Sequence, residues 1–210
     1  MEKRTAVVFG ATGLIGGYLV DFILKEEDFD RLIMVSRRPV DKQHHKLTVK
    51  IIDLFDSKAV EEAIPEEAVV FSAIGTTMRN VKGDKAFYRS IDYGINMSIG
   101  DACVTKNAAM LLLVSSIGAN SKSKNFYTAL KGEIEDALRQ KPINRLLIFQ
   151  PSLLMGQRQT FRFGERMAQI IMPLFSFLMP QKYRPIHASV VARQMLEAAN
   201  DLEKINGRPK

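Results

Sequence analysis

Short runs of aliphatic and β-branched residues recur along the chain, and longer segments of helical periodicity separate them. Ala6–Phe9, Arg31–Val35, Thr48–Ile52, Ala68–Ala73, Met110–Val114 and Arg145–Phe149 read as strands. Leu14–Lys25, Lys58–Ile64, Phe87–Lys106 and Tyr127–Gln140 carry the apolar spacing of helices. Strands that are apolar at nearly every position are buried on both faces, as in parallel sheets. The pattern therefore predicts an α/β fold, a doubly wound parallel sheet of the Rossmann type, with ligands expected beyond the strands' carboxyl ends. After residue 150 the alternation fades. Pro151, Pro173, Pro180 and Pro185 punctuate a Met- and Phe-rich region in which Gly164–Ile171 reads as a helix, and Ser189–Asn200 closes the chain. The expectation is one domain over residues 1–210, with a small C-terminal cap region at 151–188 lying over the cleft.

Composition narrows the class. A chain of 210 residues buries a sizeable core without disulfides or a structural metal. With 46% hydrophobic and 25% charged residues, it falls outside the disordered and low-complexity classes. The single cysteine, Cys103, has no partner for an internal bridge, which suggests a reducing, cytoplasmic setting. His44 and His45 are adjacent and His187 stands far away, so no cluster has zinc spacing. The apolar stretch Ile170–Pro180, broken by Pro173, falls short of the ~20 residues that a membrane span requires. The run before Gly10 is too short for a signal-peptide core.

The net charge is +7, and its densest stretch is Arg37, Arg38, Lys42, Lys46 and Lys50. No aromatic residues interleave these cations for stacking on bases. The excess reads as a solvated surface with a local phosphate-binding need, and no specific nucleic-acid partner is expected.

Gly10-Ala-Thr-Gly13-Leu-Ile-Gly16 follows the first strand and opens a helix. Small residues there let the backbone approach a pyrophosphate, whose charge sits on the N–H groups of a helix N-terminus. The G-x-x-G-x-x-G spacing differs from that of ordinary dehydrogenases. It resembles the short-chain dehydrogenase/reductase superfamily, whose extended and atypical members carry G-A-T-G-x-x-G.

In NAD-selective Rossmann domains a carboxylate ends the second strand and holds the ribose hydroxyls. Here that strand ends Val35-Ser36-Arg37-Arg38. Two guanidinium groups suit a 2′-phosphate, which points to NADP(H). Asp53, after the third strand, reads equally as a partner of the adenine amine or as a cap of the following turn. Ile74 and Gly75, after the fourth strand, are placed against the nicotinamide-side ribose, because a glycine at a strand end permits close approach.

Tyr127 and Lys131 stand four residues apart, on one helix face. Ser115 and Ser116 end the preceding strand, giving the order Ser…Tyr-x-x-x-Lys. The chemistry suits carbonyl reduction. Lys131 lowers the phenol's pKa and hydrogen-bonds the ribose, Tyr127 exchanges a proton with the substrate oxygen, and a serine hydroxyl holds that oxygen. Ser116 is favoured for this, with Ser115 as the alternative.

Gly75-Thr76-Thr77, Ser115 to Ala119, Ser123 to Tyr127, Lys131 to Glu135, Gln150 to Gly156 and Arg162 together resemble the atypical reductases related to Tat-interacting protein oxidoreductase. The similarity runs from about residue 4 to 200. It implies NADPH binding through Thr12, Gly13, Leu14, Ile15, Arg37, Arg38, Ile74, Gly75, Tyr127, Lys131, Leu154 and Arg162. Where that family often has Arg-Pro-Gly, this chain has Gln150-Pro151-Ser152, so one charge is missing.

Met155, Met167, Met172 and Met179, with Phe161, Phe163, Phe175 and Phe177, suit an adaptable cleft, a protein-binding surface or an ordinary core. His187 reads as an extra acid, a substrate contact or a structural hydrogen-bonding group. The expected function is an NADP(H)-dependent oxidoreductase that moves hydride between nicotinamide and a small carbonyl or alcohol. The alternative is an NADPH-binding regulator without turnover. A nucleotide-sugar epimerase ranks third, because about 60 residues after the sixth strand leave little room for a sugar-binding domain.

Overall fold

The computed structural model describes residues 4–155 and 184–206. Six strands form one parallel sheet: β1 (Arg4–Phe9), β2 (Phe29–Ser36), β3 (Leu47–Ile51), β4 (Val69–Ser72), β5 (Met110–Val114) and β6 (Leu146–Phe149). Their order is β3-β2-β1-β4-β5-β6, so the winding reverses between β1 and β4. Every predicted strand is present, Met110–Val114 with unchanged bounds and the others with bounds moved by at most two residues. The chain folds as the Rossmann-type sheet that the apolar runs foretold.

Helices cover both faces because the strands' side chains alternate. Val7 and Phe9 of β1 point to one side and pack with Ile99, Ile134 and Leu138. Ala6 and Val8 point to the other, where Leu19, Ile23, Val191 and Met195 meet them. The first side is built by α2 (Ser57–Ala63), α4 (Ile95–Thr105) and α5 (Phe126–Arg139), the second by α1 (Leu14–Ile23) and α6 (Ala188–Asn206). Arg4 fastens α6 to the start of the sheet, donating to the Ala199 carbonyl at 3.0 Å while its guanidinium lies over the Phe29 ring.

Two features differ from the sequence expectation. The helix expected over Phe87–Lys106 is three pieces: α3 (Lys85–Arg89), a π-turn over Ser90–Gly94, and α4. Beyond β6, Leu154–Met155 (β7) pairs in parallel with Ile186–His187 (β8) to make a second, two-stranded sheet. The expected helix at Gly164–Ile171 lies outside the described residues, as do Arg162 and the Met and Phe residues from 161 to 179.

Candidate functional site

At the switch point the chain leaves β1 through a turn that only glycines permit. Gly10 adopts φ +74°, and a Cβ there would fall 2.5 Å from the Ala73 carbonyl oxygen. A Cβ on Gly16 would fall 2.2 Å from the Gly10 carbonyl oxygen. These two glycines therefore serve close packing of turn, strand end and helix. Gly13 is different. It is the N-cap of α1 with no side chain capping the helix, and no acidic residue occupies the first turn. The positive end of the α1 dipole is thus left open to an anion.

A cleft of about 630 Å³ opens beside this turn. Gly13, Leu14, Ile15, Ile74, Gly75, Ser115, Ser116, Tyr127, Lys131 and Leu154 all line it. So do Thr76 and Thr77 of the Gly75-Thr76-Thr77 motif, and Asp92 and Asn80, which the sequence reading did not single out. Thr12 is exposed in the turn and is not among the lining residues. Arg37, Arg38 and Asp53 are exposed at the ends of β2 and β3, outside the cleft lining.

The surroundings of Arg37 and Arg38 distinguish them from the other cations of the basic stretch. Lys42 pairs with Asp21 at 2.6 Å. Lys46 donates to the Glu26 carbonyl and Lys50 to the Glu62 carbonyl, each at 2.7 Å. Among the described residues the two guanidinium groups have no such partner. The Ser36 hydroxyl binds the Arg38 backbone on both sides, donating to its carbonyl at 2.8 Å and accepting from its N–H at 3.2 Å, which fixes the loop that carries them. Asp53 accepts from the Phe55 N–H at 3.0 Å through one carboxylate oxygen, while Asp56 caps α2.

On the opposite wall, Asn125 caps α5 by accepting from the N–H groups of Tyr127 and Thr128. The first turn of α5 therefore presents Tyr127, 39% exposed, at the cleft. Lys131 lies one turn deeper and almost fully buried. Its ammonium is 6.0 Å from the Tyr127 ring centre but only 2.8 Å from Asp92 Oδ2. Tyr88 donates to the Thr76 carbonyl at 3.0 Å. Burial and the nearby Asp92 carboxylate push its phenol well above the ordinary range, so it stays a proton donor.

The two serines are not equivalent. Ser115 is buried and donates to Glu135. Ser116 is half-buried, and its hydroxyl makes only a 3.4 Å contact with the Ile117 carbonyl. Gln150, where the resembling family carries Arg, donates to both Glu135 oxygens at 2.8 and 3.0 Å. His187 Nδ1 contacts the Ser189 hydroxyl at 2.7 Å, and its ring meets Tyr18 edge-on. That is a structural contact at the start of α6.

Comparison with known proteins agrees with this geometry. Residues 10–164 match the family model described as NAD(P)H-binding. The protein FMP52, mitochondrial, of Lodderomyces elongisporus is 34% identical over 165 residues, covering 74% of this chain and 69% of the relative. The Candida albicans protein of that name is 32% identical over 209 residues, covering 97% and 90%. The UDP-glucose 4-epimerase of Thermotoga maritima superposes with a TM-score of 0.72 at 16% identity, covering 94% of this chain and 74% of that one. A Rossmann-fold NAD(P)-binding family protein from Shigella flexneri does so at 0.66 and 15%, covering 97% and 89%. At such identities these two structures speak for the fold alone.

One expectation is met at its coarser level and one is corrected. The family match bears out an NAD(P)H-binding Rossmann protein, and the relatives are named FMP52 rather than Tat-interacting protein oxidoreductase. The relatives are also named mitochondrial, which overturns the cytoplasmic location. A lone buried cysteine reports the lack of an internal bridge and does not tell one reducing compartment from another. The glycine turn at the switch point, the open α1 terminus and the match over residues 10–164 lead to one statement: the chain belongs to the NAD(P)H-binding Rossmann family, with the mitochondrial FMP52 proteins among its relatives.

Proposed function

We propose that the protein is an NADP(H)-dependent oxidoreductase of the atypical short-chain type, acting on a small, partly apolar carbonyl or alcohol. One observation carries this reading. Ser116, Tyr127 and Lys131 line the same cleft as Gly13 to Ile15 at the open end of α1, so proton-transfer groups and an anion-binding terminus share one space. The uncapped terminus fits a pyrophosphate, Arg37 and Arg38, without a side-chain partner among the described residues, fit a 2′-phosphate, and Gly75 leaves room for a ribose above Lys131.

A bound nicotinamide supplies or accepts the hydride at the carbonyl carbon. The chain's own groups handle the proton. In reduction, Tyr127 gives its phenolic proton to the substrate oxygen while the Ser116 hydroxyl donates a hydrogen bond to that oxygen. Lys131 holds the ribose side of the site. Leu153, Leu154 and Met155 supply an apolar wall, which suits a substrate with few polar groups.

The test is turnover. NADPH consumption is followed across a panel of aldehydes and ketones, beside calorimetric binding of NADPH. Carbonyl-dependent oxidation supports the oxidoreductase. Tight NADPH binding without turnover on any member of the panel rejects it in favour of an NADPH-binding regulator.

A further inference from the structure

The proton-transfer scheme above leaves the buried polar side chains of Asp92, Asn96 and Ser72 without a role. They form a single chain of contacts from the sheet to the cleft. The π-turn over Ser90–Gly94 presents Asp92. Such turns interrupt α-helical bonding and recur at functional sites. Asn96 compensates the interruption by donating to the Asp92 carbonyl at 2.6 Å, and it accepts from the hydroxyl of Ser72, the last residue of β4, at 2.6 Å.

The carboxylate so held reaches two other elements. Asp92 Oδ1 accepts from the Thr76 N–H at 2.8 Å, which pins the loop after β4. Asp92 Oδ2 lies 2.8 Å from Lys131 Nζ, with side-chain exposures of 1% and 7%. Apart from that ammonium, Oδ2 has no partner among the described residues. The pair sits beneath Gly75, where a Cβ would come within 3.7 Å of the carboxylate and 3.9 Å of the ammonium. A buried ion pair contributes little net stability compared with an apolar pair of the same volume. What it does supply is a fixed direction for a lysine that otherwise samples many rotamers.

We infer that Asp92 is a positioning residue. It holds the Lys131 ammonium and the Thr76 amide as one unit under Gly75, so that the floor of the cleft meets a ribose with its donor already oriented. This rests on the dinucleotide reading above. It assigns the effect to the half of the ligand far from Arg37 and Arg38. Preorganisation of this kind reduces the ordering that binding otherwise requires.

The test is a double-mutant cycle with Asp92→Asn, Lys131→Met and the pair combined. Calorimetric affinities for NADPH, NADH and 2′,5′-ADP, which lacks the second ribose, are measured alongside thermal midpoints. Asp92→Asn is expected to weaken NADPH and NADH alike, by about tenfold or more, and to leave 2′,5′-ADP unchanged. In the Lys131→Met background the same substitution causes no further loss, because Asp92 acts through the lysine. Additive losses would overturn the inference, as would full affinity in Asp92→Asn. If that single variant does not fold, Lys131→Met is compared with the combined variant, and weaker binding by the latter overturns it. Unmodified protein that binds 2′,5′-ADP as tightly as NADPH also overturns it. Unmodified protein that binds none of the three rejects the dinucleotide reading, and this inference with it.

Discussion

Ser115, just past β5, donates its hydroxyl to the buried carboxylate of Glu135 on α5, twenty residues further along the chain. Glu135 also accepts from Gln150 beyond β6 and from Arg139 at 2.9 Å. One carboxylate thus ties the ends of two neighbouring strands to the helix that carries Tyr127 and Lys131. Ser115 is consumed by this contact, which favours Ser116 as the hydroxyl left for a substrate.

The first prediction separates the two serines by stability. Glu135→Gln replaces one of two acceptor oxygens with a donor that faces the Gln150 amide together with either Ser115 or Arg139. It is expected to cost about 2 kcal/mol, the scale of a lost charge-assisted bond inside a protein. Ser115→Ala removes one of the donors and destabilises in the same direction. Ser116→Ala stays within about 0.5 kcal/mol of the unmodified protein. Urea unfolding checks all three. Equal midpoints for the two serine variants would remove the distinction.

The sheet was legible because its central strands are mostly apolar runs, Val69–Ser72 and Met110–Val114 above all, while β3 was found despite Thr48 and Lys50. The glycine turn was legible because steric demands at Gly10 and Gly16 leave no other residue type. β7 and β8 were not, since two residues carry no period. Asp92 and Glu135 stand in ordinary helical surroundings in the sequence. Their burial depends on Lys131 and Ser115, which lie 39 and 20 residues away. Local spacing holds no record of such pairings. A π-turn likewise leaves no mark in a pattern read at 3.6 residues per turn, although it decides which side Asp92 faces.

Cofactor choice gives the second prediction. Lys42, Lys46 and Lys50 are occupied by local acceptors, which leaves Arg37 and Arg38 as the cations of that stretch available to a 2′-phosphate. NADPH is expected to bind more tightly than NADH. Replacing both arginines with Ala should remove most of the preference, roughly tenfold or more for the pair, with NADH affinity nearly unchanged. Calorimetry with the two nucleotides decides it. Equal affinities in the unmodified protein would reject the assignment.

The third prediction concerns Cys103, on the buried face of α4 and 1% exposed. Burial pushes its thiol up to about 12. Folding therefore favours the protonated form, while the unfolded chain releases that proton from about pH 8.5 upward. The contribution is complete below that pH and is lost as the pH rises toward 12. Cys103→Ala should accordingly lose less stability than the unmodified protein between pH 9 and 11, measured by denaturant midpoints. In the native protein at neutral pH, the thiol should resist alkylation until the chain unfolds.

The last prediction tests the chemistry itself. Tyr127→Phe removes one hydroxyl from a ring that is partly exposed at the cleft, so packing changes little. If the phenol delivers the proton, turnover should fall by about 10²-fold or more, the usual scale for a lost proton-transfer group. NADPH affinity should hold, because Lys131 and the α1 terminus bind the cofactor in this scheme, and neither touches the missing oxygen. The fall should therefore appear in kcat, with the dissociation constant for NADPH unchanged. Lys131→Met gives the opposite split, with weaker NADPH binding as its first effect. A Tyr127→Phe protein with undiminished kcat would show that the proton comes from elsewhere. The assignment of Tyr127, Ser116 and Lys131 to one reaction would then fail, even though all three line a single cleft.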